Sequence, residues 1–212
     1  MNAVNHSVSI LRRLLGITGA VLVAVSLVAC DAASNKPAQK LQFKATDITG
    51  ANYGQSLSLA DQDGRPRTLA DFKGKVVVVF FGYTQCPDVC PTTMLELAQV
   101  KKSLGPDGDR LQGVFITIDP ERDTPAVLKS YMASFDPSFV ALRGTLEQTQ
   151  AVAKDFKVFF AKVPGRNPDS YTMDHTAGSY VLDADGKVRL FVRYGSGAEA
   201  LTADLKTLLA AG

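Results

Sequence analysis

The sequence predicts an α/β fold in which helices flank a central sheet, and three observations support this. The first is the run 75–81, a lysine followed by valines and phenylalanines, which is typical of a strand buried on both faces. The second is the alternation of further apolar runs with segments of helical periodicity. The third is a hairpin signal near the C terminus, which is followed by one more helix.

The N-terminal part of the predicted domain comes before this central strand. Residues 43–59 have scattered apolar positions and are predicted to be extended. The turn sequence 61–65 suggests a hairpin whose second arm contains Thr68. We therefore expect an N-terminal β extension ahead of the central sheet.

Helices and strands alternate after the central strand. The first helix is expected to begin at Pro87 or at Pro91, since proline is favoured in the first turn of a helix. Thr124 is expected to cap the second helix, and Thr145 with Gln148 resembles a capping box for the third. The elements expected from here on are a helix to 104 with Leu95 on its apolar face, a strand at 111–118, a helix at 125–135, a strand at 139–142, a helix to about 156, an extended segment at 158–161, a polar loop at 163–174, strands at 179–182 and 188–192, and a helix at 198–210.

This order of elements is that of a thioredoxin-like α/β domain, with a central sheet flanked by helices. Cys86 and Cys90 follow the first central strand at its carboxyl end, close to the N terminus of the next helix. Functional groups of open α/β sheets gather at that edge. The field of a helix N terminus also favours the thiolate form of cysteine, which binds soft metals and attacks disulfides.

Residues 1–29 have the form of a secretory leader. Arg12 and Arg13 precede an apolar run, and the segment that ends in Cys30 matches a bacterial lipoprotein box. We expect the leader to be removed and Cys30 to be lipidated. An uncleaved membrane anchor is the alternative, because the apolar run approaches the length that spans a bilayer.

Both forms would tether the domain to a membrane outside the cytoplasm. Asp31, directly after the lipidated cysteine, fits retention on the periplasmic side of the inner membrane. Residues 30–42 are small, polar and aperiodic, so they are predicted to be a flexible tether. The globular domain would then comprise residues 43–212.

The charge balance gives no sign of a nucleic-acid partner. The 212 residues carry a formal net charge of +2, and Arg12 and Arg13 are the only charged side chains of the leader. The rest of the chain is therefore formally neutral and lacks the basic surplus of nucleic-acid-binding proteins. With 46% hydrophobic and 21% charged residues, the chain can bury a substantial core.

The predicted domain contains two thiols, Cys86 and Cys90, and one histidine, His175. Two thiolates and one imidazole suit a soft monovalent copper ion. In a thioredoxin-like sheet the residues just before the C-terminal hairpin lie beside the thiol loop, so we expect His175 to meet the two cysteines there. Asp174 either orients His175 by accepting a hydrogen bond from its second ring nitrogen or caps the loop.

Three segments of the chain carry a family resemblance. They are Gly-Tyr-Thr-Gln-Cys-Pro-Asp-Val-Cys-Pro at 82–91, Ile-Asp-Pro-Glu-Arg-Asp-Thr-Pro at 118–125 and Asp-His-Thr at 174–176. Together they resemble the Sco/SenC family of copper-binding, thioredoxin-like proteins, which assemble the CuA site of cytochrome c oxidase. The resemblance implies that the two cysteines and the histidine bind Cu(I), with Cu(II) left open. It also implies that the partner is the CuA-bearing subunit II; other periplasmic copper carriers and thiol reductants are further candidates.

A periplasmic thiol-disulfide oxidoreductase is the main alternative function, with the CuA cysteines or a redox-sensing partner as its target. Cys86 and Cys90 can form a disulfide in an oxidising compartment, which would abolish metal binding. General oxidoreductases use Cys-x-x-Cys, however, and here the cysteines lie four positions apart. A peroxidase of the peroxiredoxin type fits least, because Thr84 lies only two residues before Cys86. The sequence therefore favours a metallochaperone over an enzyme.

Other residues that attract attention near a copper motif are expected to be structural. Met94 and Met132 fall in helical patterns and are predicted to lie in the core, and Met173 is expected to pack as well. Arg122 and Asp123 are expected to form an ion pair at a strand-to-helix corner.

Overall fold

The structure, a computed structural model, describes residues 41–167 and 170–211. The predicted leader, the predicted lipidation site Cys30 and residues 30–40 of the predicted tether lie outside the described residues, as do 168–169 and 212. Within the described part, no helix has the length and apolar character needed to cross a membrane.

A mixed eight-stranded sheet and a separate two-stranded sheet organise the chain. The strands are β1 (Thr46–Asp47), β2 (Ser58–Asp61), β3 (Pro66–Thr68), β4 (Val76–Gly82), β5 (Leu111–Thr117), β6 (Val140–Arg143), β7 (Phe160–Pro164), β8 (Tyr171–His175), β9 (Gly178–Leu182) and β10 (Val188–Arg193). The large sheet has the order β1-β10-β9-β4-β5-β6-β2-β3, and β7 pairs with β8. Strands β4, β5 and β6 run parallel, and the remaining pairs are antiparallel.

Four α-helices pack on this framework. They are α1 (Val89–Ser103), α2 (Pro125–Ala133), α3 (Leu146–Asp155) and α4 (Ala198–Ala211). Helix α1 packs against α4, whereas α2 and α3 lie against β6 and β2. Every residue of β4 and β5 is buried, which agrees with the continuous apolar runs in the sequence. The predicted α/β architecture, a thioredoxin-like sheet flanked by helices, is confirmed.

The N-terminal extension supplies strands at both edges of the large sheet. Strand β1 pairs with β10, and the hairpin β2–β3 adds to β6 through β2. The predicted hairpin after the turn at 61–65 is therefore present. Its position beyond β6 depends on tertiary pairing, which the local sequence pattern does not encode.

The helix ends show where the sequence patterns were informative and where they were not. Thr124 accepts a hydrogen bond from the Val127 amide, and Thr145 forms the expected capping box with Gln148. Helix α1 begins at Val89, between the two predicted starts. Leu95, which the periodicity places on the apolar face of this helix, is 62% exposed.

The prediction of a polar loop at 163–174 was wrong. Strand β7 pairs with β8 in a hairpin, with Phe160 opposite His175 and Pro164 opposite Tyr171. Most side chains of both strands are exposed or only partly buried. A two-stranded sheet of this kind needs no apolar alternation, so its sequence resembles a loop.

Candidate metal centre

The thiol loop leaves the end of β4 through a residue that must be glycine. A Cβ on Gly82 would lie 2.9 Å from Cys90 Sγ, 2.8 Å from the Phe80 ring and 2.9 Å from the Phe115 ring. A larger residue would force one of these groups to move, so glycine permits the close approach of helix α1 to the strand. Cys90 therefore lies close to the buried rings of Phe80 and Phe115.

The two sulfurs lie at the N terminus of α1 but in different environments. The Cys90 amide donates a hydrogen bond to Cys86 Sγ at 3.4 Å. Cys86 is half-buried, whereas Cys90 is 0% exposed. Burial raises the pKa of the Cys90 thiol far above its usual value, although the Tyr83 backbone opposes this shift. At Cys90, desolvation by burial thus outweighs the predicted effect of the helix N terminus, and it favours the thiol over the thiolate in the metal-free site.

His175 closes the site from the last position of β8. Its Nδ1 lies 3.1 Å from the Thr176 carbonyl oxygen, which can only accept a hydrogen bond, so Nδ1 carries the proton. The other nitrogen, Nε2, presents its lone pair 3.7 Å from Cys90 Sγ. The rings of Phe80 and Tyr83 stand nearly perpendicular to the imidazole at 5.9 and 6.2 Å and restrict its orientation.

The imidazole is held in the neutral form that binds metals. Burial lowers the pKa of His175, and this effect is only partly opposed by the Thr176 carbonyl and the negative charge of Asp174. Neutral imidazole is the ligand form of histidine. The local environment therefore favours coordination over protonation.

Cys86, Cys90 and His175 come together as the sequence led us to expect. Their three ligand atoms lie within 4.8 Å of one another. A single ion among them would face two soft sulfurs and one imidazole nitrogen, and this donor set fits monovalent copper. Both cysteines are free thiols, so the predicted disulfide between them stays a prediction.

Of the two roles expected for Asp174, the hydrogen bond to His175 is not formed. The Thr176 carbonyl is the partner of Nδ1, and the carboxylate acts on His175 only through its charge. The reason is strand geometry: successive side chains of β8 point to opposite sides, so Asp174 and His175 diverge. Asp174 is exposed.

A buried carboxylate anchors the thiol loop, and sequence reasoning missed it. Asp123 is fully buried and accepts hydrogen bonds from the hydroxyls of Thr84 at 2.6 Å and Thr117 at 2.5 Å. The Thr84 amide also donates to it, at 3.2 Å. Burial raises the pKa of Asp123, although these hydrogen bonds oppose the shift. Thr84 and Asp123 stand in two of the segments noted in the sequence, but nothing in their spacing indicated that they pair.

The expected ion pair between Arg122 and Asp123 was wrong. Arg122 instead pairs with Asp119 and donates a hydrogen bond to the Tyr171 carbonyl at 2.9 Å. The Tyr171 hydroxyl donates to Asp119 at 2.8 Å, and the Arg122 guanidinium stacks 3.6 Å from the centre of the Tyr171 ring. These contacts fasten the first residue of β8 to the loop after β5. The hairpin that carries His175 is therefore held to the large sheet.

The methionines behave as expected. Met94 and Met132 are 0% and 2% exposed, and Met173 is 6% exposed within the same core. All three pack among apolar side chains.

The fold and this site together define a thioredoxin-like protein with a two-cysteine, one-histidine candidate metal site at the carboxyl edge of its sheet. Residues 45–210 match the family model described as SCO1/SenC. The chain belongs to this family.

Individual relatives agree with this assignment. The chain is 41% identical to an SCO2-like protein of Rickettsia felis over 135 residues, which are 63% of this chain and 66% of that protein. It is 34% identical to the mitochondrial SCO2 homolog of Mus musculus over 183 residues, 85% of this chain and 72% of that one. The chain thus spans slightly less than two thirds of the Rickettsia relative.

A solved structure of similar sequence contains copper. The structure of Bradyrhizobium japonicum ScoI with copper bound is 42% identical and superposes with a TM-score of 0.68. The match covers 74% of this chain and 99% of that one.

Proposed function

We propose that this protein is a copper metallochaperone, which binds Cu(I) through Cys86, Cys90 and His175 and delivers it to, or prepares, the CuA site of cytochrome c oxidase subunit II. The observation that carries the proposal is the convergence of two sulfurs and one imidazole nitrogen within 4.8 Å. The copper found in the Bradyrhizobium relative supports the choice of metal.

The donor set favours copper over zinc. Structural zinc takes four protein ligands, and the cluster offers three. Asp119, which could have completed a shell, is engaged by Arg122 and Tyr171. Cu(I) is satisfied by soft sulfur ligands and accepts low coordination numbers.

The partial exposure of the site suits transfer of the ion. Cys86 and His175 are half-buried and lie at the rim, whereas Cys90 is buried beneath them. An incoming ligand of a partner would approach the ion from the side of Cys86. Copper is thus the cargo, and its release would proceed by stepwise replacement of this protein's ligands with those of the partner.

The proposed location follows from the leader. Lipidation of Cys30 would anchor the protein on the periplasmic side of the inner membrane. The flexible tether at 30–42 would let the domain move some distance from the membrane surface. The CuA domain of the oxidase is the proposed partner on that side. Other periplasmic copper carriers and thiol reductants are proposed as further partners.

Measurement of Cu(I) affinity by competition with a chromophoric chelator tests the proposal. We expect the purified, reduced protein to bind one ion per chain, and Cys86→Ser, Cys90→Ser and His175→Ala each to weaken binding by orders of magnitude. Met173→Leu is the matched control, since Met173 lies two residues from His175 but is buried in the core. Unchanged stoichiometry and affinity in all three ligand variants would refute the proposal.

A thiol-disulfide oxidoreductase is the second candidate, favoured by the two adjacent free thiols and the amide hydrogen bond to Cys86 Sγ. In that reaction the dithiol would pass two electrons and two protons to a disulfide of the CuA domain or of a redox-sensing partner, and Cys86–Cys90 would become the disulfide. Reduction of insulin and of an oxidised CuA domain by metal-free protein separates the two functions. Multiple turnovers with an added reductant would favour the oxidoreductase.

A further inference from the structure

A surface beside the candidate metal centre combines exposed apolar and basic side chains. This lysine–phenylalanine patch consists of Leu146, Lys154, Lys157 and Phe159. Phe159 is 64% exposed and Leu146 is 42% exposed, although both are large apolar residues. The Phe159 amide donates to Thr176 Oγ1 at 3.1 Å, and the Thr176 amide donates to the Phe159 carbonyl at 3.0 Å. Because Thr176 directly follows His175, the patch begins at the rim of the metal centre.

The patch lines a groove that could receive part of another molecule. A shallow groove of about 510 Å³ runs past Lys154, Lys157 and Phe159. An adjoining groove of about 220 Å³ reaches Leu146, and both are lined by Gln150 and Phe160. The two grooves are therefore neighbours, separated by side chains of α3 and β7 that both share.

The two lysines of the patch carry uncompensated charge. Within the described part of the chain, neither Lys154 nor Lys157 has a carboxylate within ion-pair distance. The Asp155 carboxylate, next to Lys154 in the chain, instead accepts hydrogen bonds from the backbone amides of Gln55 and Ser56, at 2.8 Å each. Glu147 lies two helical turns from Lys154, about 10 Å along the helix axis. At its Phe159 end the patch thus presents two cations beside an exposed aromatic ring, whereas its Leu146 end lies beside the ion pair of Lys162 with Glu121.

Lys157 occupies a backbone position that normally belongs to glycine. Its φ is 58°. Among the described residues, eight glycines also have a positive φ, and Lys157 is the one non-glycine residue that does. It ends α3 in a Schellman arrangement, with Val158 N bonded to Ala153 O and Lys157 N bonded to Lys154 O. A lysine there is strained, so its presence points to a use for its charge rather than to stability.

We infer that the lysine–phenylalanine patch docks the protein that exchanges copper with this one, a partner whose docking face carries carboxylates around an apolar centre. The inference rests on the proposed copper transfer and adds the surface that brings the two sites together. Phe159 is the apolar anchor, and the lysines accelerate association and set the orientation through their charge. Docking here would bring the partner's ligands to the exposed side of Cys86 and His175.

Copper transfer to the soluble, metal-free CuA domain of subunit II is the test, with the full chain in detergent as donor. We expect the transfer rate at low salt to fall about tenfold in Lys154→Gln/Lys157→Gly and in Phe159→Ser, since steered association depends on such charges and anchors. The wild-type rate should fall with added salt, and the double variant should show a weaker salt dependence. Lys102→Gln and Lys206→Gln are matched controls on exposed lysines of other helices, and their rates should equal that of the wild type.

Two further measurements keep the result interpretable. Transfer to the small chelator bathocuproine disulfonate requires no docking and should be unchanged in every variant. Lys157→Gly alone should raise the thermal unfolding midpoint by roughly 2–4 °C, because it relieves strain, while it slows transfer to the CuA domain. A variant that is more stable and yet slower in transfer would exclude damage to the fold as the cause.

The outcomes separate this inference from the function on which it rests. If the wild type transfers copper and the patch variants match its rate and salt dependence, the docking role is overturned and the metallochaperone function stands. If the wild type binds Cu(I) but never transfers it to the CuA domain, both are overturned for this acceptor. Slowing confined to the patch variants supports the inference.

Discussion

Gly82 and Cys90 approach so closely that a Cβ on the glycine would lie 2.9 Å from the cysteine sulfur. This contact joins the end of the central strand to the start of α1. It determines how deeply Cys90 Sγ is buried. The geometry of the metal centre therefore depends on a residue that offers no ligand.

Gly82→Ala should damage metal binding and stability together. The added methyl group must displace Cys90 Sγ or the Phe80 and Phe115 rings, and overpacking of this kind costs about 1–3 kcal/mol. We expect Cu(I) affinity to fall at least tenfold. Gly186→Ala is the control, since Gly186 also resists substitution through its φ of 80° but has no neighbour within 4 Å of the position that a Cβ would take. It should reduce stability alone; unaltered copper affinity in Gly82→Ala would contradict the assigned role.

Alkylation should distinguish the two thiols of the metal-free protein. Cys86 is half-buried, whereas Cys90 is inaccessible and burial raises its pKa. Because the thiolate is the reactive form, iodoacetamide should modify Cys86 first and Cys90 only after unfolding. Peptide mapping by mass spectrometry measures this order. The Cys86→Ser variant should remain almost unmodified under native conditions, and equal labelling of both cysteines would show the burial argument to be wrong.

Asp123 should stabilise the thiol loop, and its contribution should depend on pH. Asp123→Ala leaves the Thr84 amide and two hydroxyls without their acceptor, so we expect a loss of about 3 kcal/mol in the free energy of unfolding. Chemical denaturation measures the loss. Thr145→Ala is a useful comparison, since that residue caps an exposed helix end and should cost about 1 kcal/mol.

The sign of the pH dependence follows from the raised pKa of Asp123 in the folded protein. The folded state binds a proton more readily than the unfolded state, so this group adds stability at low pH that is lost as the pH rises through its folded pKa. The stability of the wild type relative to Asp123→Asn should therefore increase as the pH falls from about 7 towards about 4. A difference that stays constant or shrinks over this range would mean that Asp123 does not carry the raised pKa.

Tyr171→Phe should loosen the hairpin that carries His175. The substitution removes the hydroxyl that donates to buried Asp119, at a cost of about 1 kcal/mol. Amide hydrogen exchange in β8 should quicken and Cu(I) affinity should fall several-fold, while thiol accessibility at Cys86 stays unchanged. Lys162→Ala on the same hairpin removes an exposed ion pair with Glu121 and a cation–π contact with the Tyr171 ring, but it leaves the hydroxyl bond to Asp119 intact and should have a smaller effect. If both variants behave alike, the anchoring contact lies elsewhere.

Much of the fold was predictable because the relevant signals are local. The buried strands β4 and β5 follow from their continuous apolar runs, and the caps at Thr124 and Thr145 follow from short-range hydrogen-bond chemistry. The hairpin β7–β8 was missed because a two-stranded sheet open to solvent shows no apolar alternation. The prediction for Leu95 was wrong because helical periodicity alone does not tell which stripe of a helix faces inward.

The candidate ligands were predictable for a different reason. Cys86 and Cys90 are the two thiols and His175 the one histidine of the predicted domain, and the order of elements brings the ends of β4 and β8 close together. The partners of these residues were not predictable. Whether Arg122 pairs with Asp119 or with Asp123, and whether Nδ1 meets Asp174 or a carbonyl, depends on side-chain direction across strands and loops.

The sequence by itself determined the donor set, the strand that precedes it and the family resemblance, because each is carried by residues close together or scarce in the chain. The tertiary structure alone decided that one sulfur is buried and the other accessible, that a buried carboxylate holds the thiol loop, and that exposed Phe159 bonds to the residue after His175 and shares a groove with two lysines. These features arise from contacts between segments far apart in the chain, and such contacts exist only once the sheet has formed.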